Sequence, residues 1–474
     1  MLRCDHGAAR ANLGLDNYVA NAGSGRSKTL SLPHTAVQGY WLIIGLWVAL
    51  GPWPWPIANP WKLYGFITVV QVSFGLGYWL GLRVLPECGT PRIGARQWHF
   101  LSLVCWGLLL LPLLVARTGG QPIDLMQVPS LLARGVADPG SAYTDRQAAF
   151  QALQFGVGRA GYWTSVALLL GAPSLWMLLP VTIVFWSRLG LWRKWLAAVF
   201  LLVDAASWLL LGTVKGIADA ALLLPALVFA RSASSSPRSG GRQWRRLFFL
   251  TGLGIVALYS WFSWALAGRQ GGQLADSDVV VGIDLNRGHW SVALLTDAGA
   301  RGVGALSHYL TQGYYGLSLA LDMPQEWCYG LGNSYFSMNI AERLFGIDDI
   351  IARTLAQKAE EASGWGAYAR WSSLYPWLAN DVGFAGVPVV MFFGGAIFSR
   401  TWKSFVQRRC PVALSLWCLL LVAWAYAPAN NQVLHFSGTF VAFWVLLVAW
   451  LVPLVLTNWG HPTLRSCRPA PGPR

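Results

Sequence analysis

The residues of this chain best suited to chemistry lie in one polar stretch, 268–381. Between Thr296 and Tyr315 the sequence is helix-compatible. There Asp297, Arg301, His308, Gln312 and Tyr315 recur at intervals of four, seven, four and three residues, so they share one helical face. An imidazole on such a face suits general-base work, and a guanidinium suits an anionic group. An amphipathic helix lying on a membrane would show the same pattern, and both readings stand. Next, GYYGLSLALDMPQEWCYGLGNSYFS (Gly313–Ser337) gathers Tyr314, Tyr315, Trp327, Tyr329 and Tyr335 around Glu326. Rings with polar tips suit sugar faces as well as lipid headgroups. Glu326, beside Trp327 in a partly dry loop, is expected to have a raised pKa and to serve as a second base. An interfacial aromatic belt is the plainer account of the same residues.

A third segment, ARWSSLYPWLANDVGFAG (Ala369–Gly386), carries Arg370, a residue type suited to phosphate, and Asp381, which reads as a helix cap. Lys215 and Asp219 open one apolar run, and His435 sits between the last two. Asp204 lies inside a run, where an ionisable group is costly. The acidic residues Asp276–Asp278 and Asp348–Asp349 resemble metal motifs but are too few to require an ion; no metal or cofactor is expected.

These residues must be positioned by a frame, and the composition says which kind. Of 474 residues 55% are hydrophobic and only 12% charged, which excludes an ordinary soluble domain. The 28 Trp fit aromatic belts at membrane interfaces, and Trp53, Trp55 and Trp61 flank the first turn. The net charge of +15 is spread over short loops between apolar runs, which favours membrane orientation over nucleic acid. The seven Cys have no metal-ligand spacing. No cleavable signal peptide and no P-loop are read, and the latter counts against ATP-driven transport.

Crossing a bilayer takes about 20 mostly apolar residues. Candidate spans fall at 39–57, 62–82, 99–116, 163–186, 196–213, 216–230, 247–267, 382–399, 412–427 and 437–456. The loops 83–98, 188–194, 231–246 and 400–409 are basic, as are both tails. About ten spans with both termini cytoplasmic put every basic loop inside. The expected organisation is therefore all-α and polytopic: a disordered tail (1–38), seven helices (39–267) with an outer loop at 117–162, and a large outer loop (268–381) with short interfacial helices. Three helices (382–456) and a cytoplasmic tail (457–474) follow.

The segments HYLTQGYYGLSLALDMPQEWCYGLGNSYF and RWSSLYPWLANDVGFAG, followed by a short span and a basic loop, resemble the bacterial O-antigen and exopolysaccharide repeat-unit polymerases. The resemblance is greatest over 300–400. It implies a membrane glycosyltransferase of C-type (GT-C-like) architecture in the bacterial inner membrane. Such an enzyme polymerises lipid-linked oligosaccharide repeat units at the outer face, taking the growing glycan from undecaprenyl diphosphate. A chain-length regulator and a flippase would be its protein partners. The family's pattern of an Arg followed eleven positions later by Gly is met here by Arg353 and Gly364, but not by Arg301 or Arg370, so it does not pick out the site.

A diphosphate leaving group requires cations at the membrane surface. Arg301 and Arg370 are the first candidates and Lys215 the third. His308 leads as the base that activates the acceptor hydroxyl, with Glu326 second, and Tyr314, Tyr315, Trp327 and Tyr329 would position sugars. The alternatives are an O-antigen-ligase-type transferase, which differs only in acceptor, and a lipid-linked oligosaccharide flippase.

Overall fold

A computed structural model of the protein describes residues 29–83, 94–117, 126–142, 144–145, 159–210, 212, 215–234, 249, 252–254, 256–257, 260, 277–347, 349–367, 370 and 372–459. The chain is mostly helical. Helix α1 spans 29–50, and α2 (Pro60–Arg83), α3 (Ala95–Arg117), α4 (Val128–Ala137), α5 (Arg159–Val184), α6 (Leu191–Leu210) and α7 (Lys215–Ala233) follow. A hairpin of β1 (Ser277–Asp278) and β2 (Ile283–Asp284) precedes α8 (Asp297–Ala320), α9 (Tyr335–Phe345), α10 (Ile350–Arg353) and α11 (Leu355–Ser363). The chain closes with α12 (Leu374–Arg408), α13 (Pro411–Tyr426) and α14 (Ser437–Trp459). Among the described residues five helices are long and apolar enough to cross a membrane: α2, α3, α5, α7 and α12. Large apolar side chains stay exposed along the helix flanks, among them Ile43, Leu108, Leu170, Leu202 and Phe393. Water would penalise such faces and hydrocarbon would not.

The helices stand where the apolar runs are, with instructive shifts at their ends. Helix α1 is already helical at 29, where the described residues begin, rather than from 39, and its polar turns find partners on α2. There the Tyr78 hydroxyl donates to the Leu30 carbonyl, the Gln38 amide donates to the Gln71 carbonyl, and His34 lies among Phe74, Tyr78 and Trp79. The helix stops at 50 because Pro52, Pro54 and Pro56 cannot continue it. The span expected at 247–267 lies for the most part outside the described residues, as do most of the 1–38 tail and the parts 118–125, 143 and 146–158 of the 117–162 loop. Helix α12 begins inside what the sequence suggested was loop. It breaks at Gly383, whose φ of 72° and ψ of 160° are not helical, so the apolar run proper begins after the break.

The frame is centred on α2 against α12. Gly77 faces the Phe392 carbonyl, Gly81 faces Ala396 and Ser399, and Gly395 faces the Phe74 carbonyl. A Cβ on Gly77 would stand 1.8 Å from the Phe392 oxygen, so only glycine permits this approach. Gly77 and Gly81 are the small-xxx-small pattern that lets helix backbones meet where no hydrophobic effect drives them together. Contact positions rise together along both helices, so the two run parallel. At one end of the bundle the basic segments touch. Arg96 donates to the Arg188 carbonyl (2.9 Å), Arg193 to the Arg96 carbonyl (3.0 Å), Lys403 to the Leu82 carbonyl (3.0 Å), and Arg409 to the Ser234 hydroxyl.

Gly77→Leu should lower the detergent-melting temperature sharply, beyond the ~1–3 kcal/mol of ordinary overpacking, since backbone and not a side chain blocks it. Gly65→Leu, with open space at its Cβ, should leave the melt unchanged. Equal melts for the two variants would contradict the α2–α12 contact.

Candidate functional site

The end of α1 and the turn between α1 and α2 hold α8 in place by three indoles. Trp47 Nε1 donates to the Ser307 hydroxyl (2.7 Å), Trp53 Nε1 to the Gly304 carbonyl (2.8 Å), and Trp55 Nε1 to the Thr311 hydroxyl (2.9 Å). Their targets lie three and four residues apart, on one face of α8. The helix itself starts where Thr296 caps it, accepting from the Gly299 amide. The face thus pinned points inward, toward the 51–58 turn. His308, Gln312 and Tyr315 are buried, whereas Asp297 at the helix start is exposed and paired with Arg287 (2.9 Å). The polar stripe is therefore divided between core and surface.

His308 is met by a residue that the spacing argument missed. The hairpin turn 278–282, closed by Gly282 at φ 71° and by the Gly282 amide donating to the Asp278 carbonyl (2.8 Å), aims the Asp278 carboxylate inward. Asp278 is fully buried. It accepts from His308 Nε2 at 2.7 Å, and from both terminal nitrogens of Arg370 at 2.6 and 2.9 Å. Aromatic rings enclose the group. Trp53 and Trp55 stand 5.0 and 5.1 Å from the imidazole, Tyr315 stacks on Trp55 at 5.1 Å, and the Arg370 guanidinium lies 5.2 Å from the Trp365 ring.

The electrostatics follow from this geometry. Burial pushes the Asp278 carboxyl up, but the His308 hydrogen bond and the Arg370 charge outweigh it, so the group sits below the ordinary carboxylate value. Burial holds the His308 imidazole below its ordinary 6.5, with Asp278 opposing that shift and Arg370 adding to it. The resting state is thus a neutral imidazole on an ionised carboxylate. With Nε2–H given to Asp278, Nδ1 is left to accept a proton, and it has no hydrogen-bond partner among the described residues. A carboxylate that orients a His and stabilises its cation is the arrangement of a general base.

The other predicted residues scatter. Arg370 and His308 are brought together, but the Arg370 fork that would hold a diphosphate already holds Asp278. Arg301 stands about two turns up α8 from His308, partly exposed and without a hydrogen bond or ion pair among the described residues. Tyr315 lies at the site, whereas its neighbour Tyr314 is turned about 100° away and fully buried in the bundle, where it cannot face a sugar. Glu326 corrects the expectation of a raised pKa. It is exposed and bonded to Lys358 at 2.8 Å, and that hydrogen bond holds its carboxyl below the usual range, which makes it a poor base. Trp327 and Tyr329 form an exposed pair, ring centres 5.3 Å apart. Arg353, the residue that fits the Arg–Gly spacing, lies over Tyr329 and is bonded to Asp349, apart from the Asp278 group. Lys215 joins a separate cluster around His435. Asp381, read as a helix cap, instead accepts from the backbone amides of Gly332 and Asn333 (2.9 and 3.0 Å) and tethers that turn to α12.

Asp278, Trp53, Trp55 and Trp365 are the site residues that the sequence argument did not assign. The signal for Asp278 was a carboxylate ahead of VVVGID, a strand–turn–strand pattern read only as a weak metal motif. Among the described residues no three His, Cys, Asp or Glu side chains gather as a metal site would need. Comparison with family models, curated proteins and solved structures gives no match. The site must speak for itself.

Removing Asp278 leaves Arg370 charged and buried. Asp278→Ala should therefore cost ~3–5 kcal/mol in a chemical or thermal unfolding series, while the Asp278→Leu/Arg370→Met double variant should recover most of it. Additive losses in the double variant would show that the two side chains are not coupled. Stability should also fall as pH drops below 6.5, because the unfolded chain takes up a proton that buried His308 resists. It should fall again below 3.8, as Asp278 is protonated.

Proposed function

We propose that this chain is a membrane glycosyltransferase that polymerises lipid-linked oligosaccharide repeat units. It would take the growing glycan from undecaprenyl diphosphate at the outer face of a bacterial inner membrane. The observation that carries the reading is the buried Asp278–His308 pair. It holds a neutral imidazole among aromatic rings, at the bundle end away from the basic loops. In the proposed step His308 Nδ1 takes the proton of an acceptor hydroxyl and the oxygen bonds to the anomeric carbon. The bond from that carbon to the diphosphate oxygen breaks, and the lipid diphosphate leaves with the electron pair. Asp278 stabilises the imidazolium through Nε2–H, and Arg370 keeps Asp278 ionised and in place. Arg301 is the remaining candidate for the departing charge.

Two features support about ten spans with both termini cytoplasmic. The basic segments converge on one end, as the positive-inside rule expects of cytoplasmic loops. The parallel run of α2 and α12 agrees with both crossing from outside to inside, which requires an odd number of crossings between them, as the five expected spans supply. Leu294, 94% exposed before α8, should react as a cysteine with an impermeant maleimide on intact cells, in a background free of the native cysteines. Reaction only after permeabilisation would reverse the orientation.

The direct test is purified protein in nanodiscs, given undecaprenyl-diphosphate repeat units of the native kind. A ladder of lipid-linked products is expected, and intact substrate with folded protein would overturn the reading. His308→Ala should reduce turnover by about 10²–10⁴-fold. The acid limb of kcat/KM should lie below 6.5, and Asp278→Asn should move it lower still, since the carboxylate raises the His308 pKa. An acid limb above 6.5 that ignores Asp278→Asn would remove His308 as the base.

A further inference from the structure

A second group of polar side chains is buried where the 427–436 turn meets α7, α9 and the start of α12. The rings of His435 and Trp377 are perpendicular with centres 4.3 Å apart, and Tyr335 lies 4.6 Å from His435. The Lys215 ammonium stands 3.4 Å from the centre of the Phe436 ring. One helical turn along α7, Asp219 interacts with Lys215 and shares a hydrogen bond with Tyr426. Phe436, on which Lys215 lies, directly follows His435 in the chain, which joins the two sets of side chains.

Its polar atoms are short of partners. Trp377 Nε1, Gln432 Oε1, His435 Nε2 and Asp219 Oδ1 have no hydrogen bond among the described residues, although the four residues are only 2, 4, 9 and 8% exposed. Buried polar atoms are nearly always paired, so several orphans in one place mark a position that something outside the chain fills. Water can occupy such a place when it is empty.

The donors and acceptors say what the ligand is. The indole N–H donates, while Gln432 Oε1 and Asp219 Oδ1 accept. Burial, with the Lys215 charge, pushes the His435 imidazole down to about 3, so it is neutral and adds no charge. Lys215 and Asp219 offset one another, which disfavours a dianion such as diphosphate. Mixed neutral hydrogen bonding against the faces of Tyr335, Trp377 and Phe436 suits a polyol whose C–H face lies on a ring. Phe436, 45% exposed, marks the opening. The cluster adjoins the Asp278 site, since the Tyr335 hydroxyl donates to the Ala367 carbonyl (2.9 Å) in the segment that carries Trp365 and Arg370.

We infer that the Trp377–Gln432–His435–Asp219 cluster is a second glycan site, and that it seats the acceptor oligosaccharide while the reacting sugar lies at His308. The acceptor role rests on the transferase reading; the affinity for glycan does not.

The test is calorimetric titration of the full-length protein in nanodiscs with the native repeat-unit oligosaccharide, released from its lipid by mild acid. Wild type and the surface variant Leu294→Ala should bind it saturably and alike. Trp377→Phe and His435→Phe, which keep a ring but lose the polar atom, should weaken binding at least tenfold with unchanged melting temperature. Inorganic diphosphate should not compete. Competition by diphosphate, wild-type affinity in the two ring variants, or no binding of glycan by wild type would each overturn the inference. The polymerisation assay separates this failure from that of the reading above. A chain that binds glycan through Trp377 and His435 but never polymerises keeps the site and loses the transferase. Polymerisation with an unaltered acceptor KM in Trp377→Phe keeps the transferase and loses the site.

Discussion

A carboxylate with no exposure at all cannot stay charged on its own, and the end of the bundle that carries Asp278 is arranged around that constraint. Asp278 is far in sequence from both its partners, 30 residues from His308 and 92 from Arg370. The Coulomb energy that offsets its lost hydration exists only when all three segments are docked. Folding of the hairpin, of α8 and of the approach to α12 is coupled through that one side chain. Trp53 and Trp55 then close the fourth side, since their N–H groups reach α8 only if α8 lies across the 51–58 turn. A buried carboxylate with both oxygens bonded in this way specifies one geometry, where apolar loops would tolerate several.

The docking needs a frame that presents Arg370 at the right height, and the glycine contact between α2 and α12 supplies it. With backbones this close, α12 has little freedom to slide along its axis. Its first turn is fixed in turn by main-chain bonds: the Ser373 amide donates to the Gly313 carbonyl (3.0 Å) and the Leu374 amide to the Ala427 carbonyl (2.9 Å). Gly313 lets the 428–429 carbonyls approach α8 where a Cβ would stand 2.3 Å from the Pro428 oxygen. Residue 313 thus joins the helix that carries His308 to the turn that carries His435, and the two polar clusters are held against each other by backbone.

The parts that local rules govern were legible in the sequence. Long apolar runs bounded by Arg or Pro became helices close to where they were expected, because length and hydropathy are properties of a segment alone. What escaped was set by distant partners. The polar part of α1 is helical against α2, which takes the Gln38 amide in a hydrogen bond and packs its rings around His34. Glu326 has a lowered pKa because Lys358 lies beside it, a fact absent from the aromatic residues that made its loop look dry. Tyr314 and Tyr315 are equivalent as letters, yet one helical step sends the first into the bundle and the second to the site. His308 and Arg370 could be singled out by type, but their roles could not, since Asp278 decides both. It takes Nε2–H of the histidine, leaving Nδ1 to accept, and it occupies the guanidinium that was expected to meet phosphate.

That exchange changes the charge available for chemistry. Ionised Asp278 and charged Arg370 cancel, and His308 is neutral, so the resting centre presents no net charge to a substrate. When the imidazole takes a proton, the centre gains one positive charge inside a ring of Trp and Tyr, where little solvent screens it. In the proposed reaction that charge appears as the diphosphate departs with its electrons, so the cation is strongest when the leaving group needs it. A permanently free guanidinium at the same place would bind the lipid diphosphate of substrate and product alike, and would lower the barrier less than a charge created in the step itself.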